Sequence, residues 1–314
     1  MSEWELIKDR TASSGAVWRS SDGRWFKRTG GPEVTEEARY QTLLSELGFP
    51  VPRPERIGIE HGREYFVEAG AGHRTLHELA LEQGRNNSGK VDDALIDRAA
   101  ATSAKLLRAQ AENPLPTSED ALRSWFSKAG FAEVVFSENP DLDTLRVRSL
   151  IDAMVDRLTA VPMCHSHLDY GLPNVFDDVV IDWQHHGPAP LGYDVYPMLD
   201  IAAFKGGDRG YAFTPEQRSR YVEALDHVAE DVTGHPLSPH LGDFLFVKCF
   251  FFLALIRPRP EHHARPGKYE KWMYRRKLLT LGIEEYANSW KIDTGKFPKL
   301  SDFSRDRKGP DPRP

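Results

Sequence analysis

Only two cysteines, Cys164 and Cys249, occur in 314 residues, too few for a disulfide framework, and the opening decapeptide MSEWELIKDR is too polar for a secretory leader. A cytoplasmic location is therefore expected. No apolar run approaches the roughly 20 residues that a helix needs to cross a bilayer. The longest, residues 244–256, is interrupted by Lys248 and predicts a buried helix instead, so no membrane partner is expected. Positive charge is not in excess either: the net charge of −6 gives no reason to expect a nucleic-acid partner. Neither G-x-G-x-x-G nor G-x-x-x-x-G-K-[ST] is present, which removes the two commonest glycine-rich phosphate loops.

What is present is enough apolar material for a real core. A hydrophobic content of 40% over this length implies one large or two closely packed domains. Charge is unevenly spread: residues 1–199 carry 21 basic and 31 acidic side chains, whereas residues 200–314 carry 20 and 16.

The first seventy residues read as short strands at 4–7, 16–19, 24–28, 56–60 and 64–68. Ser21-Asp22-Gly23 and His61-Gly62 supply the turns, and one helix at 34–47 is closed by Gly48 and Pro50. After Ala69-Gly70-Ala71-Gly72, a plausible hinge, the pattern turns helical. Helices are expected at 76–83, 92–111, 119–128 and 142–158, then a β insertion at 162–181, then helices at 194–204, 215–232, 239–256 and 269–289. The expected class is α+β with two lobes: a β-rich unit over 1–70, a mainly helical unit over 71–290, and a loosely held tail over 291–314.

The chemistry concentrates at His167-Leu168-Asp169-Tyr170-Gly171-Leu172-Pro173-Asn174, followed by Ile181-Asp182-Trp183. Transfer of a phosphoryl group from ATP needs a carboxylate to orient the attacking hydroxyl and accept its proton, and oxygen ligands to hold Mg²⁺ on the triphosphate. Asp169 suits the first task, Asn174 and Asp182 the second. Val175-Phe176, Asp177-Asp178 and Val179-Val180-Ile181 read as a tight hairpin that returns Asp182 to Asn174. Upstream, Lys27 on a strand can project into a cleft toward phosphates, with Glu37 in the next helix as the carboxylate that steadies it and Glu36 as its rival. The turn Thr11–Gly15 is small and rich in donors, which nominates Ser13, Ser14 and Gly15 for backbone contacts to phosphate.

In this set of residues the chain resembles the aminoglycoside phosphotransferase and choline kinase superfamily of protein-kinase-like small-molecule kinases. The likeness runs over about residues 11–200 and includes Pro50-Val51-Pro52 and Gly192-Tyr193-Asp194. His167-Leu168-Asp169 stands where the family commonly has His-Gly-Asp. The resemblance implies a protein-kinase-like fold, with Asp169 as base, Asn174 and Asp182 on Mg²⁺, and Lys27 on the α and β phosphates, held by Glu37. Adenine would lie against the backbone of Phe66-Val67-Glu68-Ala69, nominating Val67 and Ala69; ATP and GTP both remain open. Drug resistance by phosphorylation is a leading role by that likeness alone.

Two other readings compete. Residues 165–169 also fit H-x-H-x-D, part of a zinc-hydrolase signature, with His185 and His186 as further ligands; a second histidine is missing where Tyr170 stands. A non-catalytic nucleotide-binding protein is the other alternative, against which the intact Asp169, Asn174 and Asp182 count. The acceptor is expected to be a hydroxyl of a small molecule: antibiotic, sugar, nucleoside or amino alcohol. The basic surplus after residue 200 fits a polycation poorly, although Asp194, Asp200, Asp208 and Asp243 offer a local acidic site.

Overall fold

The computed structural model describes residues 4–10, 15–207, 210–256 and 266–301. Five antiparallel strands, β1 (Trp4–Arg10), β2 (Gly15–Ser20), β3 (Trp25–Gly30), β4 (Pro54–Glu60) and β5 (Arg63–Ala69), form one sheet in the order β1-β2-β3-β5-β4. The β2–β3 turn closes through Gly23, at φ +70°, whose amide bonds to the Ser20 carbonyl at 2.8 Å. His61 and Gly62, both at positive φ, close β4 onto β5, the geometry that matches the twist of paired strands. Cross-strand register places Val17, Arg28 and Phe66 side by side on one face.

Helix α1 (Pro32–Glu46) starts with proline at its first position and lays Val34, Glu37, Ala38, Gln41 and Leu44 against the sheet. Leu47 and Gly48, the latter at φ +81°, end it. Glu37 and Gln41 are thus buried polar groups on an otherwise apolar stripe, a pattern tolerated only where they find partners.

The remainder is mainly helical. Helices α2 (Leu76–Asn86) and α8 (Pro215–Thr233) each begin with a capping box, Thr75 with Glu78 and Thr214 with Gln217, satisfying orphan N–H groups reciprocally. Helices α3 (Asp93–Glu112), α4 (Glu119–Ala129), α5 (Ala132–Glu138) and α6 (Leu145–Leu158) follow, α3 and α4 packing on a short sheet. That sheet has the order β6-β7-β8, with β6 at Pro114–Leu115, β7 at Met163–Ser166 and β8 at Gly187–Pro190. Helix α9 (Leu241–Ala254) is apolar nearly all round and correspondingly buried. Its Phe246 stacks on Tyr286 of α10 (Pro266–Ser289) with centroids 4.5 Å apart. Among the described residues no single helix is long and apolar enough to cross a membrane; α8 and the segment Ser238–Ala254 would do so only together, and they bend by 113°.

Three local expectations change. Residues 191–200 are turns, not helix, and only α7 (Ile201–Phe204) is helical there. Gly192 at φ +93° and Pro197 break the period, and the buried Asp194 side chain is taken up by backbone amides. Residues 291–301, expected to be loose, are packed: Ile292 and Phe297 join the core, and the Leu300 amide bonds to the Gly206 carbonyl at 3.0 Å. Strands β6 and β8 are too short and proline-rich to carry a two-residue alternation, so sequence periodicity does not reveal them.

Candidate active site

The segment that leaves β7 is built around two buried groups. Asp194 accepts from the backbone N–H of His167 (2.8 Å) and Leu168 (3.0 Å), from Ser166 Oγ (2.8 Å) and from Gln110 Nε2 (2.9 Å). His167 is fully buried and its Nε2 lies 2.8 Å from the Ile181 carbonyl oxygen. Between these anchors the chain passes through Leu168 at φ +63°, a region costly for a side chain with a Cβ. Lys248 donates to the Leu168 carbonyl at 3.3 Å from beneath. Burial pushes this lysine down to about 8, against the attraction of Asp194 and Asp169.

The expected hairpin is present. Phe176 N donates to the Val179 carbonyl and Ile181 N to the Asn174 carbonyl, both at 2.9 Å, with Val175 bridged to Val180. This returns Asp182 to the neighbourhood of Asn174, whose Nδ2 in turn donates to the Asp169 carbonyl at 3.0 Å. Asp182 itself sits in the left-handed region, at φ +70° and ψ +54°, where aspartate is better tolerated than most residues.

Opposite the hairpin stands a cation, and it is not Lys27. Arg28 Nη1 lies 3.0 Å from Asp182 Oδ1 and 3.2 Å from Glu37 Oε1, while its Nε lies 3.0 Å from Glu68 Oε1. Burial alone would lower the guanidinium pKa; attraction to Glu68, Glu37 and Asp182 outweighs it and the net shift is upward. Gln41 Nε2 donates to the other Glu68 oxygen at 3.1 Å. Lys27, one residue earlier, points to the opposite face of β3, where it pairs with Glu60 and lies 4.7 Å from the Tyr65 ring centroid. The expected Lys27–Glu37 pair is therefore replaced by Arg28–Glu37, because a one-residue offset along a strand exchanges faces. The pairing register puts Phe26 and Arg28 on the face shared by Val17, Phe66 and Glu68.

The loop between Asp169 and Asp182 separates two cavities. One, of about 270 Å³, is lined by Lys8, Arg28, Ala69, Asn174, Phe176 and Asp182, among others. The other, of about 400 Å³, is lined by Asp169, Lys128, Tyr193, Lys205, Phe251 and Phe252, among others. A carboxylate lining one cavity, with two oxygen-bearing side chains of the same loop lining the other, can act on a hydroxyl in the first while a polyanion occupies the second.

The family model for the phosphotransferase enzyme family, APH, matches residues 13–236. The chain belongs to this family. It is accordingly a small-molecule phosphotransferase with an alcohol group as acceptor. No curated protein matches the chain in sequence. Solved structures share the fold at low identity. A putative aminoglycoside phosphotransferase from Ralstonia eutropha JMP134 is 14% identical with a TM-score of 0.57, covering 92% of this chain and 93% of its own. A thermostable mutant of aminoglycoside phosphotransferase APH(4)-Ia, in ternary complex with ADP and hygromycin B, is 13% identical with a TM-score of 0.56, covering 93% and 95%. A Plasmodium vivax ethanolamine kinase is 11% identical with a TM-score of 0.54, covering 91% and 84%.

The other nominated positions separate. Ala69 lines the smaller cavity and Val67 does not. Gly15 opens β2, whereas Ser13 and Ser14 lie outside the described residues. The histidines of the zinc alternative have other partners: His165 Nδ1 lies 2.9 Å from the Tyr40 hydroxyl, and His186 stacks on the Tyr40 ring at 3.6 Å. Burial, with a neighbouring histidine adding to it, lowers the pKa of both. Among the described residues no group of three or more His, Cys, Asp or Glu could hold a metal ion. Mg²⁺ takes one or two protein oxygens plus substrate phosphates, and Asn174 and Asp182 both line the smaller cavity. Arg28 and Lys8 on the smaller cavity and Lys128, Lys205, Phe251 and Phe252 on the larger one were not nominated from the sequence.

Proposed function

We propose that this protein transfers the γ-phosphate of ATP to a hydroxyl of a small molecule in one step, without a phospho-enzyme. The observation that carries the reading is the division of the site by the 169–182 loop, with Asp169 on the larger cavity and Arg28, Asn174 and Asp182 on the smaller. Asp169 orients the acceptor hydroxyl and takes its proton as the new bond to the γ-phosphorus forms and the bond from that phosphorus to the β,γ-bridging oxygen breaks, releasing ADP. Asn174 and Asp182 would hold Mg²⁺, which would supply charge neutralisation on the phosphates. Arg28, fixed by Glu37 and Glu68, takes the phosphate-facing position that the resemblance gives to a lysine. Its planar fork contacts oxygens directionally, and it stays charged when buried. Lys8 adds a second cation to that cavity, and Ala69 lies at the edge of the base-binding strand.

Positioning and charge neutralisation then supply most of the rate enhancement. Nucleotide use is supported by neighbours of the same fold that carry ADP or AMP-PNP. Phosphorylation of an antibiotic is the biological role nearest to those relatives. The test is a mass-spectrometric screen of hydroxylated antibiotics, sugars, nucleosides and amino alcohols with Mg²⁺ and either ATP or GTP. Gain of one phosphate on at least one compound, dependent on nucleotide and abolished by a chelator, is the expected result; transfer that is unaffected by the chelator contradicts the metal assignment.

A further inference from the structure

Resting on that reading, the larger cavity carries information on the acceptor. Its walls are aromatic and aliphatic: Phe131, Phe251, Phe252, Leu168 and Leu255, with the Tyr193 ring at its floor. Phe131 and Leu255 remain 37% and 52% exposed, and Phe131 is projected by a positive φ of 51° at the start of α5. Such residues at a cavity mouth leave apolar surface for a ligand to cover.

Among the described residues, Asp169 is the one carboxylate that lines this cavity, and His185 lines it as well. Lys128 and Lys205 line it, and Lys248 lies directly behind, with Nζ 3.9 Å from the Tyr193 ring centroid. The carboxylates that could have supplied an acidic site are committed elsewhere. Asp194 is consumed by the loop amides, Ser166 and Gln110. Asp200 is buried against Arg218 and Thr294, and Asp243 is buried among Arg157, His240 and Tyr286. Asp208 lies outside the described residues. A polycationic amino sugar would therefore meet two or three ammonium groups and one carboxylate already assigned to the reacting hydroxyl. Like-charge contacts of this kind discriminate strongly against a ligand.

We infer that the acceptor is a ring-bearing, largely apolar alcohol carrying an anionic substituent, its hydroxyl at Asp169, its body against Phe251 and Phe252 and its anion toward Lys128. The test uses three para-substituted benzyl alcohols of matched shape: hydroxymethylbenzoate, hydroxymethylbenzamide and hydroxymethylbenzylamine. Binding to the full chain is measured by ligand-observed NMR titration with AMP-PNP and Mg²⁺ present, and AMP-PNP affinity is measured separately. The benzoate should bind at least about tenfold more tightly than the benzylamine, with the amide between them. Lys128→Glu, at an exposed helix position, should reduce that preference to about threefold or less, and Phe251→Ala should weaken all three alike. Equal or tighter binding of the benzylamine overturns the inference, as does failure of all three to bind. Loss of AMP-PNP binding with the charge preference intact would instead count against the kinase reading alone.

Discussion

Arg28 shows how far one residue can shift an assignment. Its guanidinium joins β3, α1, β5 and the 182 turn through three carboxylates, with 7% of its side chain exposed. Arg28→Ala should destabilise the fold by about 3–5 kcal/mol, because it strands buried Glu37 and Glu68, and should abolish nucleotide binding. Lys27→Ala should cost markedly less, since its partner Glu60 is half exposed; denaturant titration of both variants checks the contrast. The need for a cation on β3 was legible in the sequence, but adjacent Lys and Arg left its face undecided. Only cross-strand register resolves that choice, and register is a pairing property that one strand's sequence does not contain. Lys248 allows a second check at this scale. With its pKa pushed down to about 8 by burial from an ordinary 10.5, the unfolded chain binds more protons than the folded one between those values. Its contribution therefore makes stability rise with pH across that window. Thermal melts should show that Lys248→Met removes this part of the rise; unchanged pH dependence contradicts it.

At the scale of elements, the catalytic loop is held less by its own sequence than by Asp194, 27 residues beyond His167. The hairpin at 175–181 was legible because two apolar runs flank an Asp-Asp turn. Of the expected 194–204 only Ile201–Phe204 is helical; residues 194–200 read as helix because Tyr193, Tyr196, Leu199 and Phe204 are spaced as a helical stripe. They are all buried, but around a series of turns in which Asp194 points inward and its carboxylate takes the loop amides that a helix could not reach. Asp194→Ala should leave those amides without an acceptor, costing about 2–3 kcal/mol. It should also accelerate hydrogen exchange at His167 and Leu168 while sparing the five-stranded sheet; exchange unchanged at both amides would sink the claim that Asp194 organises the loop.

For the whole molecule, the α+β class and the order of a β-rich sheet followed by helices were legible from periodicity. The packing of residues 291–301 was not, because Phe297 and Ile292 sit alone among polar neighbours and bury through contacts made by distant chain. The acceptor cavity was likewise hidden: Phe251, Phe252, Lys128 and Lys205 come from different elements and meet only in the fold. The central claim is that Asp169 serves an ATP-dependent transfer across the loop dividing the two cavities. Its most direct test compares wild type with Asp169→Asn in turnover of ATP with an accepted alcohol, alongside AMP-PNP affinity for both. The account predicts a fall in transfer rate of about 100-fold or more, with nucleotide affinity retained within a few-fold. Transfer by the variant within a few-fold of wild type would contradict it.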